Sequence, residues 1–431
     1  MTQVKDYIEL SQALESGQKD IEIINSIGAP NGIKLNKGQS LKGKDSNILL
    51  SFINGDGIEL TGDNDVANLS IQTAPAQRAI YVDSMEEDLG TVTLNNLTVT
   101  GMVQILTRGN NKRLNLEVDE LDIISADARN YPERPMKYGV NVYQGAFTVY
   151  NFNPVDGSLI NFKGKGIRIG RKNAPVLGSG LFVSGFNEES GPVEVEYLET
   201  EDIYVNGMIP KGQPNLITGA IFIVYGARAK KIVSHGVVET YGNNDMVLDV
   251  WGHVDDWLVE NTVTSYGPSG IGFVNFGTVD KFRANKQIAT YGQGARGFNQ
   301  YDGTIGEAYF ESIKTVGDGS IGMQFSKPVG QITVGDVSTT GSTGQTLVQG
   351  EIVELAADGI SVLEGGEIDH LEILRDITTE GEGVSSYHVN GGKVKELKVG
   401  NEIIAQGGNS TEVTIENGGE SDLESIQAYI G

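Results

Sequence analysis

Thr240-Tyr241-Gly242, Ser265-Tyr266-Gly267, Thr290-Tyr291-Gly292, Thr315-Val316-Gly317 and Thr339-Thr340-Gly341 decide how this chain is read, because the same kind of triplet returns about every 25 residues. Half a repeat away a second column reads Tyr225, Trp251, Phe276, Tyr301 and Phe325. Both columns keep a step between 24 and 26 residues. The units are rich in β-branched and aromatic residues with glycine corners and show no 3.6-residue stripe, so they predict coils of a β-solenoid and not helix pairs.

Working outward, the same text extends over most of the chain. Ile21-Glu22-Ile23-Ile24, Gly32-Ile33-Lys34-Leu35, Ser40-Leu41-Lys42-Gly43, Ile48 to Phe52 and Gly57 to Leu60 are short apolar runs separated by turn residues, and three such strands make one coil. Later runs, such as Leu114-Asn115-Leu116, Val140-Asn141-Val142 and Phe147-Thr148-Val149, follow the same plan. The expectation is an all-β chain: a helical cap over 1–20, a parallel β-helix of roughly a dozen coils over 21–408, and a C-terminal cap over 409–431. In the first cap, Val4, Tyr7, Ile8, Leu10 and Leu14 share one side of a helical wheel, predicting a helix over 4–15 that plugs the open end of the solenoid. In the last, Val413-Thr414-Ile415 reads as a strand and Asp422 to Ile426 as a short helix.

This layout resembles the right-handed parallel β-helix superfamily, the fold of pectate lyases, chondroitinase-type lyases, mannuronan epimerases and phage tailspikes. The resemblance implies a right-handed coil and a carbohydrate-active protein, but it specifies a fold more than an activity. The chain lacks several motifs of that superfamily's enzymes. Ser234-His235-Gly236 precedes Asn243-Asn244-Asp245, the reverse of the polygalacturonase order, and neither the Asp-Pro-His-Asp element of alginate epimerases nor calcium-binding nonapeptides occur.

Composition narrows the partners. The 431 residues include no cysteine, which removes disulfides, thiolate metal sites and a cysteine nucleophile. A net charge of −25 argues against a nucleic-acid or anionic-membrane partner. The charge is lopsided: residues 101–175 hold eleven Lys or Arg against seven acids, whereas 342–431 hold four against seventeen. No run is apolar over the roughly 20 residues needed to span a membrane, and no leader is visible. The expectation is a soluble protein, cytoplasmic or phage-encoded, or secreted where a leader has been removed.

Candidate chemistry gathers where the repeat is interrupted. Corners lengthen at Ala126 to Tyr138, Gly170 to Gly178 and Gly207 to Gly219, and loops inserted at one corner of a stacked solenoid build a wall beside a groove. Arg129, Arg134, Arg168 and Arg171 in or beside these loops are candidates for binding carboxylate or sulfate groups. Tyr225 and Trp251 are candidates for stacking against sugar rings. Their column is either an internal ladder or an external platform, and strand parity decides which: if Leu248, Phe273 and Phe298 point inward, the column points outward with Asp249 and Asn299. Asp245, Asp249 and His253 are candidates for proton transfer in glycosidic cleavage or beside a uronate carboxylate. Asn243-Asn244-Asp245 reads equally as a turn. No metal site is evident, although calcium stays open as a cofactor, and a dimer or trimer is compatible with the fold. The leading expectation is a lyase, hydrolase or epimerase acting on an acidic polysaccharide or oligosaccharide. The alternative is a non-enzymatic glycan-binding or structural rod, such as a tailspike or surface appendage subunit.

Overall fold

The computed structural model describes residues 1–348 and 351–422. The chain is a parallel β-helix solenoid with one helix among the described residues. No helix among the described residues is long and apolar enough to cross a membrane. Its residues group into two compact units: 1–135 with 143–205 and 223–232, and 136–142 with 206–222 and 233–431.

In the first unit, one parallel sheet stacks Thr2–Val4, Asp20–Ile23, Ser40–Gly43, Asp65–Gln72, Asp88–Thr100, Arg113–Ser125 and Leu159–Ile169. A second stacks Ile33–Lys34, Ile58–Leu60, Arg78–Val82, Met102–Thr107, Gly145–Asn151 and Ser179–Ser184. The helix spans Tyr7–Glu15, shorter than the predicted 4–15. Asp6 caps it, accepting from the Glu9 N–H at 3.0 Å, and Val4 joins a strand paired with Ile23. The buried face is Leu10, Ala13 and Leu14, while Ile8 is exposed.

In the second unit, one sheet stacks His253–Val259, Thr278–Thr290, Thr304–Thr315, Pro328–Val334, Glu367–Ile373 and Lys393–Val399. The facing sheet stacks Asp245–Val250, Ile271–Asn275, Arg296–Gln300, Ile321–Phe325, Ile360–Leu363, Ser385–Asn390 and Thr411–Glu416. Trp257, Phe282 and Phe310 from the first meet Phe273 and Phe298 from the second to form the core. Coils therefore continue past the predicted boundary at 408, and the last strand among the described residues ends at Glu416. The helix expected after Asp422 lies outside the described residues. One C-terminal corner, not among those expected to lengthen, carries an antiparallel hairpin, Gly344–Val348 with Glu351–Leu355.

The triplet column is an internal ladder. Thr240, Ser265, Thr290, Thr315, Thr339 and Thr379 pair in register and are all fully buried. The glycines two residues on are there for close approach of successive coils: a Cβ on Gly292 would lie 1.9 Å from the Gly267 carbonyl oxygen. Gly292→Ala should therefore cost about 2–3 kcal/mol in urea unfolding. Gly408→Ala, where a Cβ meets nothing within 4 Å, should be neutral.

His388 ties three late coils together. Its Nδ1 lies 2.8 Å from Asp358 Oδ2 and its Nε2 lies 3.1 Å from Glu416 Oε1. The hydrogen bond to Asp358, helped by Glu416, raises the imidazole pKa despite partial burial. A raised cationic group contributes fully below its unfolded value of about 6.5 and loses that contribution as pH rises through the folded value. Amide exchange in 385–390 and 411–416 should accelerate across that window, and His388→Gln should flatten the difference.

Candidate functional site

Parity in the second unit follows from side-chain contacts. Phe273 stacks on Phe282 at 4.2 Å between centroids, so the column Leu248, Phe273, Phe298 and Met323 faces the core. The opposite face of the same sheet carries three columns in register. They are Met246, Ile271 and Arg296; Asp249, Val274 and Asn299; and Trp251, Phe276 and Tyr301, the last following the paired strand ends. The first column stands two residues from the core column yet lines the outer face, because alternation breaks at Gly272 and Gly297, where a Cβ would point at Ile288 and Ile313 in the core. The aromatic column thus points away from the core, with Asp249 and Asn299. Phe325 does not belong to it: it pairs with Gln300 and packs on Phe298 inside.

That outer face is covered. Residues 136–142 form an antiparallel hairpin, Met136–Lys137 with Val140–Val142, that pairs in turn with Leu216 and Ile217. Its turn runs through Tyr138 and Gly139, both at positive φ. Tyr138 lies 5.4 Å edge-on from Trp251 and 4.4 Å from Phe276, and Phe222 packs against the same tryptophan at 5.0 Å. Trp251 is consequently only 3% exposed. Ring faces within the column also meet one another, as for Phe276 and Tyr301 at 4.7 Å, and these two rings are half-buried.

Beneath the hairpin, Tyr138, Val140 and Ile217 roof a pocket of about 60 Å³ whose floor is the three outer columns. This volume holds a few waters and is far below the roughly 300 Å³ at which pockets for organic ligands begin. Its middle row, Ile271, Val274 and Phe276, is apolar. Asp249 lies on one side, and Arg296, Asn299 and Tyr301 lie on the other, two coils or about 10 Å away.

The polar groups here are unusual. Asp249 is fully buried, and neither carboxylate oxygen has a hydrogen-bond partner. Burial raises its pKa well above the ordinary value; the donors that favour its ionised form, the Trp251 indole and the Val250 N–H, do not reach hydrogen-bond geometry. Asn299, equally buried, leaves both its amide nitrogen and its oxygen unpaired. Arg296 is buried and donates from Nε to Gln324 Oε1 at 2.9 Å. Burial lowers its pKa to about 10, which leaves the guanidinium charged at neutral pH.

Asp245 has a different place. Its Oδ1 accepts from the Thr218 hydroxyl at 2.7 Å, and its Oδ2 accepts from the N–H groups of Gly207 and Gly242 at 2.9 and 2.7 Å. Burial pushes its pKa up to about 6 against these bonds. This carboxylate clasps a loop to a corner. His253 lies on the other sheet, with Nε2 3.2 Å from Asp255 and 3.4 Å from Asp280. The three ligand atoms lie within 4.8 Å of one another, close enough for one cation. One nitrogen and two oxygens suit zinc better than calcium, which takes six to eight oxygens.

The arginines of the inserted loops are largely engaged. Arg129 is bidentate to Asp127 at 2.8 Å. Arg171 is bidentate to Asp122 at 2.8–2.9 Å. Arg134 donates to the carbonyls of Tyr131 and Arg129 and lies over the Tyr143 ring. Arg168 is exposed, on a strand opposite Asp122. Tyr225 is half-buried in the first unit, near Tyr150. None of these five lines the Asp249 pocket. Arg296, Asn299 and Tyr138 complete it instead. Arg296 had a legible signal: at the 25-residue register it replaces Met246 and Ile271 in an otherwise apolar column that resumes at Ile321.

Compared with family models, curated proteins and solved structures, the chain shows no match.

Proposed function

We propose that the protein acts on an acidic polysaccharide or oligosaccharide, cleaving it by elimination beside a uronate carboxylate in the pocket between Asp249 and Arg296. The observation that carries this reading is the Asp249 carboxyl, buried and unpartnered across an apolar floor from a charged guanidinium and an unpaired carboxamide. Burying such groups without partners costs free energy, and groups perturbed in this way cluster at functional sites.

Arg296 and Asn299 bind the uronate carboxylate and withdraw its charge, which acidifies the adjacent C5–H. Ionised Asp249 takes that proton. The C5–H electron pair becomes the C4–C5 double bond as the C4–O bond breaks, and the proton held by Asp249 passes to the departing oxygen. Hydrolysis is less well served, since it uses two carboxyl groups about 5–9.5 Å apart and Asp249 is the one carboxyl residue lining the pocket. Substrate enters when the 136–142 hairpin lifts Tyr138 from Trp251, a lid motion of a familiar kind.

The test is incubation with pectate, alginate and hyaluronan, reading the ultraviolet absorbance of an unsaturated product. Absorbance growing with time is the expected result. Neither unsaturated product nor new reducing ends from any polymer overturns the reading in favour of a glycan-binding or structural β-helix, which the tight roof over the pocket favours.

A further inference from the structure

A second groove lies in the same unit, where the Thr-x-Gly corners turn. Its floor is the turns at Asn243-Asn244, Pro268-Ser269 and Gln293 on three successive coils, a span of about 10 Å. One wall is the loop at 211–214, tied down where Asn244 Nδ2 donates to the Gln213 and Leu216 carbonyls at 3.1 and 3.3 Å. The other wall is the Gly344–Leu355 hairpin, held where the Thr346 hydroxyl donates to the Gly294 carbonyl. The hairpin backbone presses so closely that a Cβ on Gly294 would sit 2.4 Å from the Gln345 carbonyl oxygen. The groove encloses about 150 Å³ and opens to solvent.

Its chemistry differs from that of the rest of the molecule. In a chain of net charge −25, no carboxylate among the described residues lines it, and Lys211 is the one charged residue among those that do. The side chains of Gln213, Asn243, Gln293 and Gln345 make no hydrogen bond among the described residues, nor does the Ser269 hydroxyl. Four amides and a hydroxyl, each able to donate and accept, therefore converge on one cleft with Pro214, Pro268 and Ile352 between them. Paired donors and acceptors with small apolar patches match the hydroxyls and C–H faces of a sugar, and five neutral polar groups against a single exposed lysine fit an uncharged one. An extended peptide is less suited, since the floor consists of turns and offers no free strand edge for backbone pairing.

We infer that this groove is a binding site for a neutral oligosaccharide, separate from the Asp249 pocket. The test titrates cellotriose, maltotriose and chitotriose, with trigalacturonate and an uncharged Gly-Ser peptide as controls, by calorimetry and ligand-observed NMR. At least one neutral trisaccharide should bind more tightly than either control. Gln293→Ala combined with Gln345→Ala should weaken that binding about tenfold, as expected for losing two such hydrogen bonds, with an unchanged melting curve showing that the fold is intact. Asp249→Asn should leave this binding unaltered, which separates it from any failure of the elimination reading. Absence of binding by all three sugars at millimolar concentration, equal binding of a control, or undiminished binding to the double variant overturns the assignment.

Discussion

Asp249→Asn is expected to abolish product formation and to make the protein more stable. The loss follows from removing the base that takes the C5 proton, a group whose contribution is typically at least about a hundredfold. The gain follows from burial. The folded pKa of Asp249 is raised, so its contribution to stability is complete below the unfolded value of about 3.9 and is lost as pH rises through the folded value. At neutral to alkaline pH the wild type bears an uncompensated cost that the neutral amide does not. Urea unfolding at pH 8 should favour the variant by about 1–3 kcal/mol, and the advantage should vanish near pH 4. Activity of the wild type should rise with pH through the same raised value, because the base must be ionised. An asparagine variant that is less stable at every pH would show that Asp249 has a partner in the folded protein, and the argument for a reactive carboxyl would fall.

Asp245→Ala should do the reverse and cost about 3–5 kcal/mol. It removes the acceptor for the buried N–H of Gly207, the half-buried N–H of Gly242 and the Thr218 hydroxyl. The expected signature is a lower urea midpoint, with early amide exchange around 206–222. Asp245→Asn keeps one carbonyl acceptor and should lose less. Full stability of the alanine variant together with abolished turnover would return Asp245 to the chemistry and contradict its role as a corner clasp.

The two aspartates show how far the sequence could be read. Both stand on one strand, four residues apart, and both were candidates for proton transfer. The local pattern sets Asp245 apart only as the end of a possible turn, Asn243-Asn244-Asp245, and says nothing of the partners of either carboxylate. What separates them is which loop reaches each one: the 206–222 segment supplies donors to Asp245, whereas the 136–142 hairpin roofs the Asp249 pocket with Tyr138 and Val140 and supplies no hydrogen bond to its carboxylate. The inserted corners at 126–138 and 208–218 were legible as interruptions of the repeat, and both contribute residues to the roof beside Trp251. The basic residues that made those corners look like anion clamps were less informative, because Arg129 and Arg171 find acids two residues away and one coil away. The hairpin of Gly344–Val348 with Glu351–Leu355 was not foreseen, since it interrupts the repeat between Thr339 and Thr379 without a glycine- or proline-rich loop to announce it.

The sequence by itself determined the register of the coils and hence the architecture. From Thr240 to Thr339 the period of about 25 residues is enforced by a buried Thr and Ser column and by glycines that alone permit successive backbones to approach within contact. Parity along each strand then dictated that Asp249 and the aromatic column face outward, but it misplaces Arg296, which shares the parity of the core column and reaches the outer face through a break in alternation at Gly297. Whether an outward face stays open to a ligand was decided only by tertiary structure. That outcome depends on where inserted segments fold back and which polar groups they leave unpaired, and those contacts, from Tyr138 to Trp251 and from Thr346 to Gly294, join residues too distant in the chain for any local pattern to encode.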